Sequence, residues 1–264
     1  MKWAEASTAK REVREEGSAV KQLFKQALKE KDEIVILTTT LDVTKSQLEV
    51  ALGRGDYDAV YFAGQHQPIS DHNLVEFCAI TEELRIEAQM RLPHTRHTYL
   101  VGRFCDFGLS SIMVPEVLTE ETVHEALEYF YYGTMGRRSW GGIQRAGMAW
   151  AFDNRPSRLE YAEWWNNYAV LAIQLESVEA VANARLLADR PGIDYVAFGP
   201  NDLSFSLERH SNFPLTTTEE CFRNVAEQLD PIGIKRCLAI AIPPEDRDKW
   251  REHGISVFWE AARY

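Results

Sequence analysis

The sequence predicts a (β/α)8 TIM barrel with parallel strands. Eight short apolar segments alternate with amphipathic helices, a pattern typical of a parallel α/β sheet. Eight strands, rather than five or six, favour a closed barrel over a doubly wound sheet. Each strand is a nearly continuous apolar run, as expected where both faces of a sheet are covered. The length of 264 residues suits one such domain, so a single domain is predicted over residues 1–264.

The elements follow in order after a helical N-terminal region. Residues 1–19 form a charged leader, and Phe24 and Leu28 share one face of the amphipathic helix that follows. The strands are predicted at Glu33–Thr38, Asp58–Phe62, Ile86–Met90, Ser111–Val114, Tyr168–Leu175, Asp194–Phe198, Arg236–Ile242 and Ile255–Trp259. The helices between them are predicted at Thr44–Leu52, Asn73–Glu83, Thr98–Phe104, Thr119–Phe130, Val178–Ala188, Thr218–Leu229 and Pro244–Glu252. Gly53 stops the first of these helices and Pro115 closes strand four.

Two regions depart from this alternation. Residues 133–167 form a long excursion rich in Gly, Arg and Trp, which is predicted to be a lid or an interface segment. Its arginines Arg137, Arg138 and Arg145 are candidates either for binding a second carboxylate or for structural ion pairs. The sequence reaches Tyr264 directly after strand eight, with no evident final helix.

The composition limits the partners and the compartment. A formal net charge of −11 argues against a nucleic acid or an anionic membrane as partner, because both require a basic face. No apolar run approaches the ~20 residues that cross a bilayer, and the N-terminus lacks the apolar core of a signal peptide. A cytoplasmic location is the default expectation. The four cysteines have no CxxC spacing and are expected to be buried free thiols: Cys78, Cys105, Cys221 and Cys237.

Several catalytic classes lack their signals. The nine lysines all lie before residue 46 or after residue 234, and Lys235 begins its strand at the wrong end of a barrel, which disfavours a Schiff base. The chain contains no G-x-S-x-G elbow, no P-loop and no G-x-G-x-x-G after a strand. Serine acyl transfer and dinucleotide chemistry are therefore disfavoured.

Acidic residues just beyond two strand ends are the best candidates for chemistry, because a barrel places its active site there. Glu176 follows strand five, and Asp202 follows strand six within Gly199-Pro200-Asn201-Asp202. Two carboxylates suit a hard divalent cation such as Mg²⁺ or Mn²⁺ and leave room for a bidentate 2-oxo acid. Alternatively, either acid caps the helix that follows it.

Arg91 and His66 each have an active and a passive interpretation, and Asp106 has only a passive one. Arg91 ends an apolar strand, where it either holds a carboxylate or enolate oxygen or forms a structural ion pair. His66 lies in a Gly-containing loop, as a general base or as a loop residue without a role. Asp106 precedes Gly108 and can be simply a helix-end residue.

These residues occur in motifs that resemble the HpcH/HpaI aldolases, metal-dependent class II pyruvate aldolases related to citrate lyase beta subunits. The resemblance runs from about Phe24 to Trp259, and the chain looks like a divergent member. Its clearest pieces are Phe24-Lys25-Gln26-Ala27-Leu28-Lys29, Gly64-Gln65-His66-Gln67-Pro68, Met90-Arg91, Val114-Pro115, Gln174-Leu175-Glu176-Ser177 and Gly199-Pro200-Asn201-Asp202-Leu203-Ser204.

The resemblance implies a role for each matching residue. Glu176 and Asp202 would bind Mg²⁺, Mn²⁺ or Co²⁺, which would hold pyruvate through its carboxylate and keto oxygens. Arg91 would stabilise the enolate, and Gln174 would orient a metal-bound water. The remaining roles are the carboxylate cradle at Gly199, Pro200 and Asn201, acid/base catalysis at His66, and a contact of Asp106 with a neighbouring subunit's site in a homo-oligomer.

Two departures from the family pattern qualify these expectations. The family loop reads Asp-Gly-Glu-His, whereas this chain has Ala63-Gly64-Gln65-His66, so both carboxylates beside the histidine are missing. Without them the imidazolium form is less favoured, and base catalysis through His66 is expected to weaken. The family's C-terminal helix, which commonly exchanges between subunits of a hexamer, has no predicted counterpart.

Three functions are therefore compatible with the sequence. The first is a metal-dependent lyase or aldolase that cleaves a carbon–carbon bond to release pyruvate or a similar 2-oxo acid. The second is a related metal-dependent lyase or decarboxylase with altered acid/base chemistry, acting on an aromatic or other substrate. The third is a non-catalytic barrel that binds a 2-oxo acid.

Overall fold

The predicted closed barrel is confirmed. The computed structural model describes residues 23–141 and 156–264, and its eight parallel strands pair in chain order until β8 closes on β1. The strands are β1 Ile34–Thr38, β2 Ala59–Ala63, β3 Ala88–Arg91, β4 Ser111–Val114, β5 Val170–Leu175, β6 Tyr195–Phe198, β7 Lys235–Ala241 and β8 Val257–Ala261. The described α-helices are α1 Phe24–Glu30, α2 Lys45–Leu52, α3 Asp71–Glu83, α4 Val101–Asp106, α5 Glu120–Phe130, α6 Arg158–Tyr168, α7 Val178–Ala182, α8 Ala184–Ala188, α9 Pro200–Arg209, α10 Thr218–Leu229 and α11 Arg247–Arg251.

Helix α6 corrects the prediction for the excursion at 133–167. The Ser157 side chain accepts a hydrogen bond from the Glu160 N–H, and this capping box starts a helix that continues to Tyr168. Trp165 of this helix is fully buried and donates its indole N–H to the Phe130 carbonyl at 2.9 Å. The second part of the excursion is thus a packed barrel helix, and Tyr168 ends it instead of opening strand five.

Other element boundaries also differ from the prediction. Helix α9 was missed because Leu203 is its only buried residue, so the sequence gives a weak apolar signal there. The helix predicted at 98–104 starts as a 3₁₀ turn over Thr95–Leu100 before α4, and the one predicted at 178–188 is divided at Asn183. The leader at 1–19 lies outside the described residues.

Side chains of alternate strand positions fill the barrel interior, as the two-residue period of a strand requires. This inner cluster includes Ile34, Ile36, Ala59, Tyr61, Met113, Val170, Ala172, Tyr195, Ala197, Cys237, Val257 and Trp259. The opposite faces of the strands pack against the surrounding helices in a second, larger cluster. The interior is therefore a packed core that leaves the site to the strand ends.

Helix α1 closes the floor of the barrel, at the N-terminal ends of the strands. Phe24 belongs to the inner cluster, and its N–H donates to Glu87 Oε1 at 2.8 Å. Lys25 is buried, with its Nζ 3.1 Å from Asp194 Oδ1 and 2.8 Å from the Ala169 carbonyl. Burial lowers the pKa of Lys25 and raises that of Asp194, and each charge opposes the shift of the other.

Two further predictions can be compared with the fold. All four cysteines are buried and free, as expected from their spacing. Among residues 23–141 and 156–264, no helix combines the length and apolar character that a membrane crossing requires.

Candidate active site

Glu176 is the central carboxylate of the candidate site. It follows β5 at the C-terminal mouth of the barrel and is 7% exposed. Its Oε1 accepts the Glu116 backbone N–H at 2.7 Å, and its Oε2 accepts the Gln174 amide at 2.7 Å. The pKa of Glu176 is raised to about 7, because burial and the negative charge of Asp202 outweigh the Glu116 hydrogen bond and the Arg91 charge, which lower it.

Asp202 lies in the first turn of α9, near enough to Glu176 for its charge to act on it. The N-cap of this helix is Gly199, which provides no side-chain hydrogen bond, so Asp202 does not cap the helix that follows β6. Pro200 is the first residue of the helix, and Asn201 is exposed beside it. The structure thus brings the two predicted metal ligands together at neighbouring strand ends.

Gly199 lets the two halves of this site approach. A Cβ atom at Gly199 would lie 2.0 Å from Glu176 Oε2 and 2.7 Å from Gln174 Nε2, far inside ordinary contact distance. The backbone φ of −89° is open to any residue, so the close approach and not the backbone conformation requires glycine. The backbone of β6 therefore lies directly against the Glu176 carboxylate.

Arg91 lies beside this carboxylate and ends β3. It is 8% exposed, and its Nη1 donates to Gln174 Oε1 at 3.3 Å, while its Nε has no hydrogen-bond partner among the described residues. No ion pair of Arg91 occurs within the described part of the chain, which disfavours the structural ion-pair interpretation. Its buried guanidinium thus retains a free donor next to Gln174 and Glu176.

The residues at the mouth fit a divalent cation. Both candidate ligands supply carboxylate oxygens, the donors that hard cations prefer, and residue 199, as glycine, places no side chain of its own against Glu176. Within residues 23–141 and 156–264, no cluster of three or more His, Cys, Asp or Glu side chains has the arrangement of a metal site. Two protein carboxylates therefore fit a cation that takes its other ligands from water or substrate.

The loop after β2 carries His66 and is held by hydrogen bonds to β3 and to Glu116. The Gly64 N–H donates to the Arg91 carbonyl at 2.9 Å, and a Cβ at Gly64 would lie 2.6 Å from that oxygen. Gln65 donates its amide to Glu116 Oε1 at 3.0 Å. His66 is exposed and makes no hydrogen bond to the residues described in the structure. The imidazole is thus at the mouth without an orienting carboxylate.

Glu116 connects the loop to the metal-ligand candidate, a role that the sequence did not indicate. It has a left-handed backbone, with φ of 51°, and this conformation accompanies the donation of its N–H to Glu176. Its other oxygen lies 3.7 Å from His94 Nε2, and His94 Nδ1 accepts the Arg96 N–H at 3.0 Å. The signal available beforehand was an acidic residue directly after Pro115 at the end of β4.

Asp106 and the arginines of the excursion lie away from this cluster. Asp106 ends α4, next to the start of β4 and so at the opposite end of the barrel from the mouth. It forms an ion pair with Arg138, which is buried and stacks over Trp165 with 4.3 Å between guanidinium carbon and ring centre. Arg137 pairs with Glu128. These pairs favour the structural interpretation of both arginines, whereas Arg145 lies outside the described residues.

A comparison with protein families establishes the family to which the chain belongs. Residues 44–258 match the family model HpcH/HpaI aldolase/citrate lyase. The chain belongs to this family. The resemblance drawn from its motifs is thereby confirmed, together with the barrel fold that the family implies.

Individual relatives are distant. The hydroxypyruvate/pyruvate aldolase of Delftia acidovorans is 26% identical over 207 residues, which cover 75% of this chain and 71% of the relative. The 2-dehydro-3,6-dideoxy-6-sulfogluconate aldolase of Pseudomonas putida is 26% identical over 207 residues, covering 78% and 75%. The crystal structure of an HpcH/HpaI aldolase from Desulfitobacterium hafniense superposes with a TM-score of 0.74 at 21% identity, over 91% of each chain. This structural similarity supports the barrel fold alone. The family itself is described as containing aldolases and citrate lyases.

Proposed function

We propose that this chain is a divalent-metal-dependent lyase or aldolase that makes or breaks the carbon–carbon bond next to a 2-oxo acid, with pyruvate as the released acid. The observation that carries the proposal is the hydrogen-bonded group Arg91–Gln174–Glu176 packed against Gly199 at the barrel mouth. The names of the Delftia and Pseudomonas relatives support an aldolase, and that of the former supports pyruvate.

The chain's own residues would bind and polarise the 2-oxo acid. The substrate carboxylate would lie at the N-terminus of α9, where first-turn N–H groups and the helix dipole favour an anion. Arg91, buried and with its Nε free, would stabilise the negative charge that develops on the keto oxygen. Gln174 would fix the positions of Arg91 and Glu176 relative to each other, because its amide oxygen accepts a hydrogen bond from Arg91 and its amide nitrogen donates one to Glu176.

A cation would be held by Glu176 and Asp202. When bound, Mg²⁺, Mn²⁺ or Co²⁺ would act as a Lewis acid and supply several kcal/mol of charge stabilisation. Glu116 would fix the Glu176 carboxylate through its backbone N–H. The Glu176 carboxylate would thus be oriented before the reaction and would not need to move during it.

In the cleavage direction, a base takes the proton of the C4 hydroxyl of a 4-hydroxy-2-oxo acid. The C3–C4 bond breaks, an aldehyde leaves, and the electron pair forms an enolate that Arg91 stabilises until C3 is protonated. His66 is proposed as the acid/base group because it lies in the loop that the Gly64 N–H fastens to the Arg91 carbonyl. General acid–base catalysis contributes about 10²–10⁴-fold. Because no carboxylate orients its imidazole, His66 is expected to accelerate the reaction by about 10²-fold, the lower limit of this range.

The test is a cleavage assay on 4-hydroxy-2-oxo acids, with pyruvate detected by a coupled dehydrogenase. Chelation should abolish activity, and Mg²⁺, Mn²⁺ or Co²⁺ should restore it. Glu176→Gln and Asp202→Asn should each remove cation binding in calorimetry. Glu208→Gln, an exposed carboxylate on the same helix as Asp202, is the matched control and should bind like the unaltered protein. Full activity in chelator would contradict the proposal.

Decarboxylation of a 2-oxo diacid is the second candidate. Ala63 and Gln65 leave the loop without carboxylates, and Gln65 turns to Glu116 instead. Loss of CO₂ gives the same enolate but needs no base to deprotonate a hydroxyl, so this loop suits it. An assay with oxaloacetate as substrate, in which CO₂ and pyruvate are measured together, distinguishes the decarboxylase from the aldolase. Faster turnover of oxaloacetate than of any aldol adduct would favour the decarboxylase.

A further inference from the structure

The backbone of Glu116 is held in an unusual conformation at the barrel mouth. Its φ of 51° lies in the left-handed region, which a residue other than glycine keeps only where surrounding contacts hold it. Two consecutive N–H groups supply such contacts, because Glu116 donates to Glu176 Oε1 at 2.7 Å and Val117 donates to the Gln174 carbonyl at 3.1 Å. The backbone at position 116 is thus bound to the end of β5, and this fixes where the Glu116 side chain begins.

The Glu116 side chain reaches across the end of a neighbouring strand. Strand β3, which ends at Arg91, lies between β2 and β4 in the barrel. Glu116 follows β4 and Gln65 follows β2, yet the Gln65 amide donates to Glu116 Oε1 at 3.0 Å. The other oxygen of Glu116 is 3.7 Å from His94 Nε2, which is too long for a hydrogen bond. The Gln65–Glu116 hydrogen bond therefore connects the loops on either side of Arg91.

The two members of this pair are chemically complementary. A carboxylate only accepts hydrogen bonds, so Gln65 must present its amide nitrogen to Glu116. A glutamate at position 65, as in the family loop, would place two carboxylates at this distance, and their charges would repel. The carboxylate that the β2 loop lacks is thus supplied from the β4 loop.

His66 depends on its neighbours for its position. Its imidazole makes no hydrogen bond to the described residues. The two residues before it are each held, because the Gly64 N–H donates to the Arg91 carbonyl at 2.9 Å and the Gln65 side chain donates to Glu116. Gln65 is therefore the anchored residue directly next to the acid/base candidate.

We propose that Glu116 is a positioning residue for acid/base catalysis, because its carboxylate holds Gln65 and thereby sets the position of His66. This assignment rests on the proposed function for the role of His66. Glu116 acts through Gln65 and exchanges no proton with the substrate. Its contribution is limited to that of His66, about 10²-fold, and loss of the hydrogen bond should forfeit about tenfold of it.

The experiment removes the hydrogen bond and then rebuilds it in reverse, with 4-hydroxy-2-oxopentanoate as the cleaved substrate. Glu116→Met keeps the backbone N–H but removes the acceptor, and it should lower kcat by about tenfold while KM changes less than about twofold. Gln65→Glu should lower kcat at least as much, because it brings two carboxylates together. The double variant Gln65→Glu/Glu116→Gln restores a hydrogen bond with donor and acceptor exchanged, and it should return kcat to within about threefold of the unaltered value.

Two controls separate this role from other effects. Glu121→Met removes an exposed carboxylate in the first turn of α5 and should cleave at the unaltered rate. Calorimetry of Glu116→Met with Mn²⁺ tests the cation site by itself. The Mn²⁺ affinity should change less than about threefold, because the Glu116 side chain is 44% exposed and its charge is screened by solvent.

Three results would overturn the positioning role of Glu116. The first is an unchanged kcat in Glu116→Met, and the second is a double variant that is no faster than Gln65→Glu. The third is loss of Mn²⁺ binding in Glu116→Met, because the defect would then lie in the cation site and not in the position of His66.

Hydrogen exchange of the Gly64 amide reports on the loop without any reaction. Exchange should be about two- to tenfold faster in Glu116→Met than in the unaltered protein, and it should slow again in the double variant. This recovery without cleavage by the unaltered protein would support the control of the loop by Glu116 and contradict the proposed function. Cleavage by the unaltered protein without this recovery would contradict only the role of Glu116.

Discussion

Replacing Gly199 with alanine probes the contact that holds the candidate site together. The new Cβ would lie 2.0 Å from Glu176 Oε2, whereas ordinary contact begins at 3.4 Å, so the carboxylate must withdraw by about 1.4 Å. Metal–ligand distances tolerate only about 0.2 Å. Glu176 would therefore leave the coordination position, and it would also lose its hydrogen bonds from Glu116 and Gln174.

The expected loss of cation affinity exceeds the roughly 10- to 100-fold that follows removal of a supporting residue around a metal. Overpacking should lower the free energy of unfolding by about 1–3 kcal/mol. Calorimetry with Mn²⁺ measures the first quantity and urea denaturation the second.

Gly53→Ala is the matched control for this substitution. Gly53 has φ of −68°, and its nearest contact for a Cβ is at 3.4 Å, so alanine fits without displacement. It should bind Mn²⁺ normally and change stability by less than about 1 kcal/mol. If Gly199→Ala binds Mn²⁺ as tightly as Gly53→Ala, the cation does not depend on the position of Glu176, and the reasoning is refuted.

Two other substitutions test the acid/base group and the barrel floor. His66→Ala should slow cleavage by about 100-fold. His94→Ala is its control and should change the cleavage rate little, because His94 Nδ1 accepts the Arg96 N–H and its Nε2 faces Glu116. Comparable cleavage rates for the two variants would remove His66 from the mechanism. Lys25→Met should cost about 3–5 kcal/mol in urea denaturation, because it leaves Asp194 buried and unpaired. Adding Asp194→Asn should restore part of that loss, and no recovery would contradict the ion-pair explanation.

The strands and the convergence of Glu176 with Asp202 could be predicted because both follow from local pattern. Apolar runs locate the strands, and in a parallel barrel all strands end at the same mouth, so acids after consecutive strands must be neighbours. Arg91 was predictable for the same reason, as a charge at the end of an apolar strand.

Contacts between distant segments could not be predicted in this way. The Glu116 N–H meets Glu176 across 60 positions, and its left-handed φ leaves no mark in a sequence without glycine there. The Gln65–Glu116 hydrogen bond depends likewise on how two loops meet. Helix α9 was missed for a different reason, since Leu203 is its only fully buried residue and Leu207 is only partly buried against the core.

The central claim is that a cation held by Glu176 and Asp202 lets the barrel mouth bind a 2-oxo acid. Calorimetric titration of pyruvate with and without Mn²⁺ tests it most directly, using the unaltered protein and Glu176→Gln. Pyruvate should bind the unaltered protein only when Mn²⁺ is present and should not bind Glu176→Gln in either condition. Equal binding of pyruvate in chelator and in Mn²⁺, or undiminished binding to Glu176→Gln, would contradict the claim.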